Sequence, residues 1–234
     1  EAVAYMGRQA GPFFLYAAFN APHSPLDATE KYLQRYPKLS GVRRTYAAMV
    51  SALDDGVGRI VATAAGLSRP TVIVFISDNG AVPKWGGSNL PLRGEKGTAW
   101  DGGIRVPFIV RVPGVGAGTY QQPVMSFDLL PTFAALAGVD VPAAVDGVNL
   151  LPYLRGTATG QPHDALFWRL NGNAPSAARQ GILKTVAPGT GGRVWLDMSD
   201  PRERTAAMPS VELLGMFYQW ESGLMSPRWG DSGD

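Results

Sequence analysis

The chain has 234 residues, 45% of them hydrophobic and 17% charged, with a formal net charge of +2. That balance describes a folded globular chain rather than a disordered one and leaves no basic stripe for nucleic acid or a membrane surface. Cysteine is absent, which excludes disulfides, thiolate metal sites and cysteine nucleophiles within the chain, and no apolar run approaches the roughly 18–20 residues of a spanning helix.

The chain opens on Glu1 with no leader-like pattern, and the expected true start lies upstream. Residues 1–9 read as a short helical turn broken by Gly11-Pro12. The apolar run at 13–19, Phe-Phe-Leu-Tyr-Ala-Ala-Phe, has strand length. It ends in Asn20-Ala21-Pro22-His23-Ser24-Pro25, where two prolines hold His23 in an extended or turn backbone. Tyr46, Met49, Val50, Leu53, Val57, Ile60, Val61 and Ala64 recur at spacings of three and four, which predicts an amphipathic helix over 45–65 with Gly66 at its end. The β-branched run at 71–77 suits a central strand buried on both faces, as in parallel sheets. A further strand is expected at 106–112, and a helix at 126–138 with Ser126 or Asp128 near its cap and Gly138 at its end.

Strand, helix, strand, loop, strand, helix is the order of an α/β sheet. The texture changes after residue 156. A linker at 157–162 leads to short runs at 165–170, 178–186 and 193–198, which predict a small antiparallel sheet. A closing helix is expected around 210–221 and a loose polar tail after Gly223. The expected organisation is therefore an incomplete α/β core over 1–158 and a small C-terminal subdomain over 159–234, an antiparallel sheet with a helix.

Ligands of open α/β sheets bind beyond the carboxyl ends of the strands. Two apolar runs end there in polar groups, one in His23 and the other in Asp78-Asn79-Gly80. A carboxylate beside an amide carbonyl offers hard oxygen donors suited to Ca²⁺ or Mg²⁺. Two donors fall short of the roughly six to eight that Ca²⁺ takes. Lys96, in a Gly-bounded loop, can act as a point-charge clamp for an anion. The bland alternatives are a turn closed by its own Asp side chain, a hydrogen-bonded loop histidine and a solvated lysine.

The ordered series of these segments carries more weight than any one of them. Residues 13–26, 46–61, 72–80, 90–114, 126–138 and 146–156 together resemble the C-terminal half of the arylsulfatase family, in the alkaline phosphatase-like superfamily. Leu92-Arg93-Gly94-Glu95-Lys96-Gly97, continuing to Phe108, is the most specific piece, and 194–209 is similar to the family's closing strand and acidic turn. The resemblance implies an alkaline phosphatase-like sheet with flanking helices and hydrolysis of a sulfate ester. It implies Asp78 and Asn79 as metal ligands, Lys96 on the sulfate and its bridging oxygen, and His23 against the sulfate and leaving group. It also implies Ca²⁺, with Mg²⁺ as the alternative, and a formylglycine nucleophile made from Cys or Ser. That nucleophile and the remaining ligands belong to an N-terminal segment that precedes the part matched here, so the expectation for the chain alone is no turnover. Ala81 departs from the family's more usual Gly.

The expected substrate is a small-molecule or glycan sulfate ester, the expected location periplasmic or extracellular, and a missing N-terminal half a candidate partner. Two rivals stand beside this reading: a phosphoester or phosphonate hydrolase of the same superfamily, and a non-catalytic remnant or docking half. Asp54-Asp55 looks like a catalytic pair but lies in a predicted helix, and a structural role is expected. His163 is expected to make a structural hydrogen bond, Arg93 and Arg105 to pair with Glu95 or Asp101, and Trp85, Trp100 and Trp168 to be packed.

Overall fold

The computed structural model describes residues 1–142, 144–170, 175–189 and 191–224. The expected loose tail beyond Gly223 lies, but for Leu224, outside them. The chain forms two compact units, one of residues 1–90 and 102–114, the other of 91–101 and 115–234.

In the first unit, α1 (Ala2–Arg8) and α2 (Glu30–Leu33) both pack on the long helix α3 (Gly41–Ala65). The predicted apolar face is the one α3 buries, through Ala48, Met49, Gly56 and Ala64. Polar groups fix α2 against it. The Arg35 guanidinium donates to both Asp55 oxygens at 3.2 and 2.8 Å, and Tyr36 Oη lies 2.6 Å from Ser51 Oγ. Asp55 is thus structural, as expected, and the Arg35 hydrogen bond holds its carboxyl below the usual range.

Two strand expectations change. The run 13–19 forms no strand among the described residues. Its side chains still alternate in strand fashion, with Phe13 and Leu15 half-buried while Phe14 and Tyr16 stand 69% and 81% exposed. A strand needs a neighbouring backbone for its N–H and C=O groups, and no described segment provides one. The run is tethered at its base, where Arg69 donates to the carbonyls of Gln9 and Gly11 and lies over the Phe13 ring. The second change concerns β1 (Ile73–Ile76), which is half-buried along its length rather than buried on both faces. Its partner is the antiparallel β2 (Phe108–Arg111), with Val74 opposite Val110 and Phe75 opposite Ile109. The connection between them includes a 3₁₀ turn at Pro83–Trp85 and the short helix α4 (Asp101–Ile104).

In the second unit, a 3₁₀ turn at Ser126–Asp128 leads into α5 (Leu129–Ala137), closed by Gly138 in the left-handed conformation. Asp128 caps this start by accepting the Met125 N–H at 2.8 Å. After α6 (Leu151–Leu154) come β3 (Leu166–Arg169), β4 (Ser176–Gln180), β5 (Leu183–Ala187) and β6 (Val194–Asp197). They pair antiparallel in sequence order, as predicted, and the run at 178–186 divides into a β4–β5 hairpin. The closing helix α7 (Val211–Gly223) begins where Ser210 Oγ accepts the Leu213 N–H at 3.1 Å.

Alternation along β4 gives this sheet two covered faces. Ala178 joins Leu213 and Phe217 of α7, with Trp220 stacked on Phe167 at 5.3 Å. Ala177, on the opposite face, joins Val186, Leu196 and two residues of the preceding loop, Ala99 and Trp100. That contact positions the loop that carries Lys96.

Candidate active site

The end of β1 is shaped by a close approach of backbone. Gly80 donates to the Gly103 carbonyl at 3.0 Å, and a Cβ at position 80 would fall 1.7 Å from the Gly102 oxygen. Only glycine fits, and this contact sets the turn that leaves β1 through Asp78 and Asn79. Asp78 is exposed, and its Oδ1 accepts the Asn79 N–H at 3.0 Å. Ser77 Oγ donates to the Asn79 carbonyl at 3.0 Å. Beyond the turn, Asn89 grips Ala81 from both sides, accepting its N–H and donating to its carbonyl, each at 2.8 Å. In the same unit His23 sits in a turn closed by its own N–H to the Asn20 carbonyl at 2.8 Å, with Nδ1 2.7 Å from the Ser24 carbonyl.

Lys96, in the second unit, is exposed on a tight turn. Thr98 donates its N–H to the Glu95 carbonyl at 3.0 Å and Gly97 has φ +85°, so Lys96 takes the second position of a type II-like turn. Thr98 Oγ1 donates to the same carbonyl at 2.7 Å and accepts the Glu95 N–H at 3.2 Å. The Arg93 guanidinium lies 3.6 Å above the Trp100 ring, a stacked cation–π contact rather than the expected acid pair. Trp100 is buried and Trp168 packs against the same cluster, while Trp85 is 41% exposed, unlike the packed side chain expected.

The donor chemistry tests the fit of the implied cation. Asp78 and Asn79 are hard-oxygen donors of the right type. Among the described residues, no group of three or more His, Cys, Asp or Glu could hold a metal ion.

Two groups of buried charge have partners that local sequence reasoning does not supply. Lys184, fully buried on β5, donates to Asp101 Oδ1 and Glu203 Oε1, both at 2.6 Å. Glu203 also accepts the Asp101 N–H at 2.8 Å. Burial pushes the Glu203 carboxyl up, and the Lys184 charge opposes that shift. The second group joins Asp128, fully buried, to His163 Nε2 at 2.9 and 3.0 Å. His163 is structural, as expected, with its ring edge-on to Phe127. Partners so far apart in sequence leave no local spacing to read; only the apolar surroundings of Lys184 hint at its burial.

The sequence model of the sulfatase family matches residues 1–139. The chain belongs to the sulfatase family. It is 37% identical over 211 residues to human (Homo sapiens) N-acetylgalactosamine-6-sulfatase, covering 78% of this chain and 39% of that protein. It is 39% identical over 146 residues to arylsulfatase J of Mus musculus, covering 59% of this chain and 24% of that protein. The crystal structure of Ps i-CgsB in complex with k-i-k-neocarrahexaose superposes with a TM-score of 0.85 at 33% identity, over 94% of this chain and 52% of that one. The fold class expected from the sequence is thereby borne out. This sulfatase chain spans about half the length of that solved relative and less of the curated ones.

Proposed function

We propose that this chain is the C-terminal part of a metal-dependent sulfuric ester hydrolase, with residues 1–158 belonging to its α/β core and 159–234 to a small subdomain. The observation that carries the reading is the family match over 1–139, a sequence span that includes His23, Asp78, Asn79 and Lys96. Asp78 and Asn79 would provide two oxygen ligands for Ca²⁺, with Mg²⁺ the alternative, and such a cation would supply Lewis-acid chemistry to the sulfate. The formylglycine nucleophile belongs to a segment N-terminal to this one. Sulfuryl transfer spreads negative charge over the sulfate oxygens and the departing alkoxide. Lys96 meets that charge with an ammonium on a rigid turn corner, and His23 donates a proton toward the leaving group.

The likeness to Ps i-CgsB, solved with an oligosaccharide, favours a glycan sulfate ester over a small-molecule one. No helix among the described residues is long and apolar enough to cross a membrane, and by the same resemblance we assign a periplasmic or extracellular location. The exposed run at 13–19 supports a second element of the proposal, pairing with the N-terminal sulfatase segment.

The test is to read the genomic frame upstream of Glu1 for a Cys or Ser followed by Pro and Arg. The protein that frame encodes is then assayed with matched sulfate and phosphate monoesters. Sulfate ester turnover, abolished by chelator and by Lys96→Ala, is expected. Preferential phosphate turnover would transfer the reading to the phosphonate hydrolase branch, which shares the fold at 22% identity. Metal-dependent turnover by the 234-residue chain alone would overturn the partial-site reading.

A further inference from the structure

We propose that Lys184, clamped between Asp101 and Glu203 at the root of the 91–101 loop, is a positioning residue for Lys96. The inference rests on the reading of Lys96 as the anion-binding group. Three observations, all within the second unit, carry it. First, the clamp is buried: Lys184, Glu203 and Asp101 are 0%, 0% and 2% exposed, and the Lys184 ammonium bridges both carboxylates at 2.6 Å. Second, the clamp grips the loop by its main chain as well, since Glu203 Oε2 accepts the Asp101 N–H.

Third, the backbone takes a disfavoured conformation to deliver Glu203. Its φ is +53°, in the left-handed region that non-glycine residues avoid. The turn that forces this is built by Asp200. Its carboxylate accepts the Arg202 and Arg204 N–H groups at 3.0 and 3.3 Å, and its carbonyl accepts that of Glu203 at 3.0 Å. These backbone hydrogen bonds, the Arg202 bond foremost, also hold the Asp200 carboxyl below its usual range.

A buried ion pair is poor evidence for stability, because packed apolar side chains would often do as well. Its directional bonds do specify one arrangement. Here that arrangement is the register of the loop on β4–β6, with Ala99 and Trp100 seated on Ala177, Val186 and Leu196. The tight turn bearing Lys96 follows rigidly from that seat, through the Glu95–Thr98 bonds. Lys184 touches neither anion nor reacting atoms in this scheme; it fixes where the Lys96 ammonium stands.

The experiment uses the 234-residue chain, native and carrying Lys184→Met, Glu203→Gln or Lys96→Ala. Trace acetylation with peptide mass spectrometry reads each of Lys31, Lys38, Lys84, Lys96 and Lys184, with and without inorganic sulfate. Hydrogen exchange reads the Thr98 amide and those of β4 and β5. In the native chain sulfate should slow acetylation of Lys96 and leave Lys38 unaffected. Glu203→Gln keeps size and shape, so it reports even where Lys184→Met fails to fold. The expected result is Thr98 exchange faster by on the order of tenfold, sulfate protection of Lys96 weakened to match, and strand amides as in the native chain. Native protection of Lys96 in folded Glu203→Gln and Lys184→Met would overturn the positioning role. Absence of sulfate protection in the native chain, with Thr98 protected, would instead refute the anion-binding assignment beneath it.

Discussion

Gly80→Ala is the sharpest structural test of how the end of β1 is held. The added Cβ would sit 1.7 Å from the Gly102 carbonyl oxygen and 3.0 Å from the Gly103 Cα, both main-chain atoms that cannot rotate aside. Non-bonded contacts in a packed interior need at least about 3 Å, so the two backbones must part by more than an ångström. The first casualty is the Gly80 N–H bond to the Gly103 carbonyl, now 3.0 Å long. Overpacking costs typically 1–3 kcal/mol and a lost hydrogen bond about 1 kcal/mol more, which together give about 2–4 kcal/mol. At roughly 2–4 °C per kcal/mol for a chain of this size, the melting temperature should fall by about 10 °C. Circular dichroism melts measure it. Gly58→Ala is the matched control: the same methyl is added on α3, where nothing lies within 4 Å, and better helix propensity should leave stability equal or higher. A Gly80→Ala chain that melts with the native one would refute the close-approach argument. The same displacement moves Asp78 and Asn79, so under their proposed ligand role Ca²⁺ binding should weaken in parallel with the melt.

Asp128→Ala should destabilise by about 3–5 kcal/mol in urea titrations, because it strips a buried carboxylate from His163 and from the Met125 and Val148 N–H groups. Glu203→Gln should change how stability depends on pH. Burial raises the folded carboxyl above its ordinary 4.5, so its favourable contribution is complete below that value and is lost as pH rises through the folded one. Native stability should therefore fall relative to Glu203→Gln as pH rises from about 4.5, and a constant difference in urea midpoint across that range would contradict the burial. Arg35→Ala, at an exposed pair, should leave the melting temperature unresolved from native. Under the proposed ligand role, Asp78→Ala should weaken Ca²⁺ binding measured by calorimetry, whereas Asp54→Ala should not.

The longer helices α3, α5 and α7 and the C-terminal sheet were legible because their signals are local, whereas the four-residue helices α2, α4 and α6 were not. The face of α3 follows from spacings of three and four, and β3 to β6 from short apolar runs between turn residues. The four candidate site residues were singled out for another reason: each stands in a segment that resembles a known family. The run at 13–19 has the composition and alternation of a strand yet forms none among the described residues, because a strand is completed by its neighbour and not by its own side chains. For the same reason the β-branched run at 71–77 does not state its partner, and β1 pairs antiparallel with β2.

By itself, then, the sequence determined the positions of α1, α3, α5 and α7, the antiparallel C-terminal sheet, the family, and the residue types offered at the ends of the first two apolar runs. Tertiary structure alone decided what holds them. The Gly80–Gly102 approach, the Asp128–His163 pair and the Lys184 clamp join residues 19 to 102 positions apart, beyond what any local spacing encodes. A buried charge is tolerated only where an opposite charge meets it in space, and chain distance carries no record of that meeting.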